Sequence, residues 1–346
     1  LRAYALKFYE PHEETGELQN FLCSESHERL VRYVFNIESF LKEIISTSDS
    51  LCENKNIADG RLARLVKSKL GDEFVRLFVG LPVILRCRKY YKFNPYVSMF
   101  VDVANKQAPY LSKISARSDG KHVVDALQPC AEELRGLGRS AEFKKSLRNY
   151  RRLSGKNYSE LDGYIDGLFL NWPRLMVVRL ELGYRWSDST ENCEEPISDD
   201  ERTFGFKRLA EDRAKLIKQV RKKFDINLIG FIWKLNYGLD LSYRYHLMLF
   251  FDGSKVSEDL HWAEMIGEVW VKEVTHGDGV YFNFNRVESG HWCSGIGMVQ
   301  RGDEKKRESL MKAVTYLTKP DDYLRIVTPR SARALGKGQL PRARKA

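Results

Sequence analysis

Two stretches that alternate with a period of two residues constrain this chain more than any other feature. In residues 175–184, LMVVRLELGY, Met176, Val178, Leu180 and Leu182 share one side, while Val177, Arg179 and Glu181 share the other. In residues 241–251, LSYRYHLMLFF, Arg244, His246, Met248 and Phe250 lie opposite Tyr243, Tyr245, Leu247 and Leu249. Neither pattern makes a helical stripe, so both segments require a sheet. On the first strand one face is core and the other carries a carboxylate. Residues 227–236, NLIGFIWKLN, read as a further strand that pairs with 241–251 as a hairpin across 237–240. Ser198 and Glu201 form a capping box for a helix whose buried stripe is Leu209, Leu216, Ile217, Val220 and Phe224. Residues 256–274 read as a helix, 292–300 as a strand, and a last helix follows. The order strand, helix, strand, strand, helix, strand, helix describes an α+β domain, with helices against an antiparallel-rich sheet.

The first 150 or so residues have a different texture and read as all-helical. Residues 24–45 keep Leu30, Val31, Val34, Ile37, Leu41, Ile44 and Ile45 close to helical spacing. Residues 61–70 and 72–85 read as two more helices, the second disturbed at Pro82. Helical character resumes over 129–150 and ends in the basic run KKSLRNYRRLSGK. The stretch 154–167, rich in Gly, Ser and Asp, suits a domain boundary. The resulting division is a helical DNA- or partner-binding domain (1–153), the sheet domain (154–326) and a basic tail (327–346). That tail carries Arg330, Arg333, Lys337, Arg342, Arg344 and Lys345 with no acid, and is expected to stay disordered until it meets a polyanion.

A formal charge of +10, with 12% aromatic residues, favours a polyanionic partner, nucleic acid before an anionic membrane. Residues 86–96, RCRKYYKFNPY, interleave Arg86, Arg88, Lys89 and Lys92 with Tyr90, Tyr91, Phe93 and Tyr96, which offers cations for phosphates and rings for bases. The alternative is a loop whose rings pack inward and whose cations stay wet. No run of eighteen apolar residues occurs, the opening LRAYALKFYE lacks the apolar centre of a signal peptide, and the six cysteines show no C-x-x-C pair. A soluble protein of a reducing compartment is expected, with no membrane partner. The chain has no G-x-x-x-x-G-K-[ST] loop, so any unwinding would come from a partner such as a host helicase.

The chemistry-bearing stretch is KAVTYLTK, residues 312–319. Asp303 and Glu304 suit a helix start, Pro320 discourages continuation, and Leu310, Val314 and Leu317 form a core stripe. Tyr316 points away from that stripe with Lys312 and Lys319 on its own side, and is expected to be exposed. A phenol beside two ammonium groups suits a phosphate-directed nucleophile; a solvated tyrosine is the plain alternative. Together with Glu181 and His246 it makes the parts of a metal-assisted phosphodiester transesterase. Taken singly, His246 also reads as a satisfied strand histidine, and Glu181 as a partner of Arg179 or Arg244. Tyr323 reads as a packing residue, His261, His276 and His291 as surface residues, and Asp240 and Asp252 as turn formers.

The segments VVRLELGY, YRYHLMLFF and YLTK resemble, in order and wording, the rolling-circle replication initiators of the HUH endonuclease superfamily. More closely, HLMLFFDGSK, AEMIGEVWVKEVTHGDGVYFN and VTYLTKPDDYL are similar to inovirus-type replication proteins and their YagK/YfjJ-like prophage relatives. The resemblance covers about residues 172–326. It implies a phage or mobile-element protein of the bacterial cytoplasm that nicks single-stranded origin DNA. It also implies Tyr316 as nucleophile, Lys319 as phosphate or metal-site partner, and His246 and Glu181 as ligands of Mg²⁺ or Mn²⁺. One position departs: where the family pattern has a second histidine, this chain has Arg244. A guanidinium stays protonated and cannot ligate a cation. Arg244 would instead clamp the scissile phosphate, or the site is weakened and the protein binds nucleic acid or another partner without cutting.

Overall fold

The computed structural model describes residues 25–55, 64–88, 90–111, 121–184, 199–223, 228–237, 243–286, 295–329 and 332–340. In chain order the first part forms α1 (Glu25–Ser46), β1 (Cys52–Lys55), β2 (Arg64–Lys67), α2 (Lys69–Val79), α3 (Leu81–Cys87), β3 (Tyr91–Phe93), α4 (Pro95–Lys106), α5 (Ala108–Leu111), α6 (Lys121–Arg139) and α7 (Ala141–Asn171). The remainder forms β4 (Arg174–Tyr184), α8 (Asp199–Lys223), β5 (Leu228–Tyr237), β6 (Tyr243–Asp252), α9 (Asp259–Val269), β7 (Gly279–Asn283), β8 (Gly297–Gln300), α10 (Glu304–Thr318), β9 (Leu324–Ile326) and β10 (Leu335–Lys337). Two compact units result: a helical one from Glu28–Ser154 with Pro320–Arg325, and a sheet-bearing one that includes Gly155–Lys319 and the residues from Ile326 onward. Among the described residues no helix is long and apolar enough to cross a membrane.

In the helical unit, α1 buries Leu30, Val34, Ile37, Leu41 and Ile44, the residues its 3.6 period aligns. Pro82 opens α3 as a new helix, because a proline tolerates the first turn but not the interior. Residues 64–67, expected to be helical, are instead β2 and pair antiparallel with β1, so this part is not all-helical. The expected boundary loop at 154–167 lies inside the 31-residue helix α7. Its three glycines each cost helix propensity, but Leu161, Tyr164, Ile165 and Leu168 supply a buried stripe that outweighs them. At the centre of the unit Glu38 is buried among three donors: Asn94 Nδ2 at 2.6 Å, Arg151 at 2.8 Å and Lys42 at 2.6 Å. The Asn94 side chain also caps α4, accepting from the Val97 N–H at 3.1 Å. Residues 320–325 complete this unit: β9 pairs with β3, the Asn94 N–H donates to the Tyr323 carbonyl at 2.9 Å, and Arg325 stacks 3.9 Å over the Tyr150 ring. Tyr323 packs against Phe35, as its expected packing role requires.

The second unit is an α+β fold. Its antiparallel sheet has the order β10-β5-β6-β4-β7, with β8 pairing the beginning of β4 and β7 its end. Both faces are covered. Met176, Val178, Leu180, Leu247, Leu249 and Trp233 pack with α8 and α9 on one side. On the other, Leu175, Val177, Ile232, Met248 and Phe250 pack with the second half of α7 and with α10. The β5–β6 hairpin forms as expected, with Tyr237 opposite Tyr243. Asp252 shapes the turn after β6 by accepting from Ser254. Ser198, Asp240 and His291 lie outside the described residues, whereas His261 and His276 are exposed.

The tail is a further correction. Residues 335–337 are β10, hydrogen-bonded along the edge of β5 opposite Lys234, Trp233 and Ile232. Gly336 is pressed on the Trp233 ring so closely that a Cβ would sit 2.6 Å from a ring carbon. Cys52, Cys87 and Cys130 are buried, and among the described residues they form no disulfide.

Candidate active site

The sheet register assembles the site. Glu181 on β4 and Lys234 on β5 both lie directly across from His246 on β6. Arg179 and Arg244, two residues away on their own strands, share that face by the same alternation. Three neighbouring strands therefore place Arg179, Glu181, Lys234, Arg244 and His246 at one end of the face that α10 covers. All five are buried, from 1% exposed for Arg179 to 7% for Arg244.

The contacts are specific. Arg244 Nη1 lies 3.5 Å from Glu181 Oε1, and His246 Nδ1 lies 3.5 Å from Glu181 Oε2. Among the described residues that nitrogen has no hydrogen-bond partner. The imidazole meets the Tyr316 ring edge to face, 5.6 Å between centroids at 88°. The Arg179 guanidinium lies between two rings, 4.2 Å from the Phe284 centroid and 5.0 Å from that of Tyr316. Burial pushes the His246 pKa down to about 3, helped by the positive charges of Arg179, Arg244 and Lys234. The imidazole is neutral at pH 7.

The sequence resemblance implies a divalent ion at these residues. A neutral imidazole with an open Nδ1 suits a metal ligand. However, the neighbouring carboxylate of Glu181 also lies against Arg244, and three cations bear on the imidazole. Among the described residues no group of three or more His, Cys, Asp or Glu is placed to hold an ion. Among the described residues, this donor set does not fit a divalent cation. Two guanidinium groups and an ammonium are, as a class, groups that pair with phosphate oxygens.

Other expected site residues fall as follows. Asp303 caps α10, accepting from the Lys306 N–H at 3.0 Å, and Lys319 ends the helix in an exposed position. Tyr316 is half-buried, not exposed, because the buried face of α10 is wider than the expected stripe and includes Ala313 and Thr318. Lys312 is exposed and paired with Glu308 at 2.9 Å. In the helical unit Arg86, Arg88 and Lys92 are exposed, Arg88 lying 3.8 Å from Asp102. Tyr90, Tyr91, Phe93 and Tyr96 are buried, so the inward-packing alternative describes these rings, and they offer no stacking surface. Lys89 lies outside the described residues. Sequence reasoning did not assign Lys234 and Phe284 to the site, and took Arg179 only as a partner for Glu181. The available signal was a lone cation inside an apolar strand, which must find a buried polar neighbourhood.

Fold and site together define an α+β protein with a tyrosine beside a buried cationic cluster. Residues 139–325 match the YagK/YfjJ C-terminal domain family, and the chain belongs to it. No curated protein and no solved structure matches the chain.

Proposed function

We propose that the sheet unit is a polynucleotide transesterase of the rolling-circle initiator kind, acting on single-stranded origin DNA of a phage or mobile element in the bacterial cytoplasm. The observation that carries this reading is the contact of Tyr316 with His246 and Arg179, at the end of the sheet where Arg244 and Lys234 also lie. The Tyr316 oxygen forms a bond to phosphorus as the bond to the leaving sugar oxygen breaks. The phenol loses a proton and the sugar oxygen gains one, leaving a phosphotyrosine and a free sugar hydroxyl. Arg179, Arg244 and Lys234 stabilise the charge that grows on the phosphoryl oxygens, as fixed cations do in water-poor sites. Arg244 thus takes the part of phosphate clamp that its position in the sequence suggests. Lys312 and Lys319, both exposed, meet flanking phosphates, and a host helicase supplies unwinding.

A second reading, a nucleic-acid-binding protein without nuclease activity, draws on the half-buried state of Tyr316. One experiment separates the two. The protein is incubated with labelled single-stranded DNA in EDTA and in Mn²⁺, run on a denaturing gel, and digested for mass spectrometry. An adduct on Tyr316 in EDTA, absent from Tyr316→Phe, supports the cation-assisted transesterase. An adduct formed only with Mn²⁺ returns the metal to the mechanism. DNA binding without any adduct selects the second reading.

A further inference from the structure

The sheet face opposite Tyr316 carries its own charged feature. Side chains of β5 alternate, so that Lys234 faces the candidate site while Phe231 and Trp233 face α8. There α8, β5 and β10 line an open groove of about 600 Å³. Lys218, Arg221 and Lys222 project from one side of α8 at i, i+3 and i+4, Arg213 stands one turn and more before them, and Lys337 comes from β10. No carboxylate among the described residues lines it.

Cations in the last turn of a helix are often explained by the helix dipole alone. That explanation covers Arg221 and Lys222 at the end of α8. It leaves out Arg213 and Lys218, further up the helix, and Lys337 on a different element. Lys223, the other last-turn cation, is paired with Glu273, whereas no ion pair among the described residues engages Lys218, Arg221 or Lys222. The groove also holds planar groups. The Arg213 guanidinium lies 3.7 Å from the Trp233 ring centroid and donates through Nη1 to the Tyr245 hydroxyl at 3.2 Å, which holds it flat. Phe231 beside it is half-buried. Cations set along planar side chains suit nucleotides, which offer both phosphates and flat bases, better than a lipid bilayer, whose headgroups offer no planar face to stack.

We propose that this groove binds a single-stranded polynucleotide, with its phosphates along Lys218, Arg221, Lys222 and Lys337 and a base stacked on Phe231 and the Arg213 plane. The site lies on the other face of the sheet from Tyr316 and engages nucleotides away from any scissile phosphate. It needs no transesterase activity.

The test is fluorescence anisotropy of the full chain with labelled dT20 and rU20 at several salt concentrations. The triple variant Lys218→Glu, Arg221→Glu, Lys222→Glu is expected to lose at least about tenfold in affinity, and about 2 from the log–log salt slope, at roughly 0.7 per phosphate on a single strand. The control Lys255→Glu, Lys272→Glu, Lys305→Glu makes the same change of charge at exposed residues of the sheet unit that lie in neither site, and is expected to lose less than about threefold. Stronger binding of either dT20 or rU20 identifies the natural strand. Wild-type affinity in the triple variant, or an equal loss in the control, overturns the proposal. So does a triple variant that loses anionic-vesicle binding while keeping the oligonucleotides. Photocrosslinking with 5-iodouracil DNA is expected to label the β5 peptide at Phe231, and labelling confined to other peptides overturns the stacking assignment.

Discussion

Lowering the pH from 7.5 to 5 should destabilise the sheet unit through one side chain. His246 is held neutral when folded, with a pKa of about 3 against an ordinary value of 6.5. The folded imidazole therefore stays unprotonated while the unfolded one binds a proton. Stability from this group is complete above pH 6.5 and is lost as pH falls from 6.5 towards 3. At pH 5 the unfolded state gains a factor of about thirty, or about 2 kcal/mol, and the loss approaches about 5 kcal/mol below pH 3. All six tryptophans, at 172, 186, 233, 262, 270 and 292, fall within Gly155–Lys319, so their fluorescence during urea unfolding reports on this unit. Wild type and His246→Gln should be compared at pH 7.5, 6 and 5. Carboxylates and the other histidines contribute equally to both, and the wild type should lose about 2 kcal/mol more than the variant by pH 5. Equal losses, or an imidazole proton of His246 that titrates near 6.5 by NMR, would refute the argument.

Glu181→Ala should cost about 3–5 kcal/mol by stranding a buried Arg244, and adding Arg244→Met should recover most of it, as a urea double-mutant cycle will show. Gly336→Val drives a side chain into the Trp233 ring and should cost about 1–3 kcal/mol of local stability, seen as faster trypsin cleavage at Arg333 and Lys337 with little change in the urea midpoint.

Period-two alternation made β4 and β6 legible, and β5 was readable as the hairpin partner of β6; the pairing of β4 with β6, which sets Glu181 across from His246, came only with the fold. The α10 boundaries were equally readable, because Asp303 and Pro320 act on their immediate neighbours. What failed depended on distant parts of the chain. Residues 64–67 are a strand only because β1 is there to pair with them, and 335–337 because β5 offers an open edge. The glycines of 154–167 signal a loop locally, yet the buried face of α7 keeps the helix intact. The rings of 90–96 gave no sign of which way they would turn, since cations interleaved with aromatics suit a stacking surface and a core edge alike. Lys234 was visible as an oddity in an apolar strand, but only its register gave it neighbours.

The division of the helical unit between Glu28–Ser154 and Pro320–Arg325 bears on how the chain comes off the ribosome. When Ser154 has been made, β3 still lacks β9, and the surface of Phe35 that receives Tyr323 is bare. At about 5–20 residues per second, translating Gly155–Lys319 takes on the order of ten to thirty seconds. Through that interval the nascent amino-terminal part carries an open strand edge and an uncovered ring, the kind of surface that chaperones recognise. A gene truncated after Ser154 would make that vulnerable interval permanent.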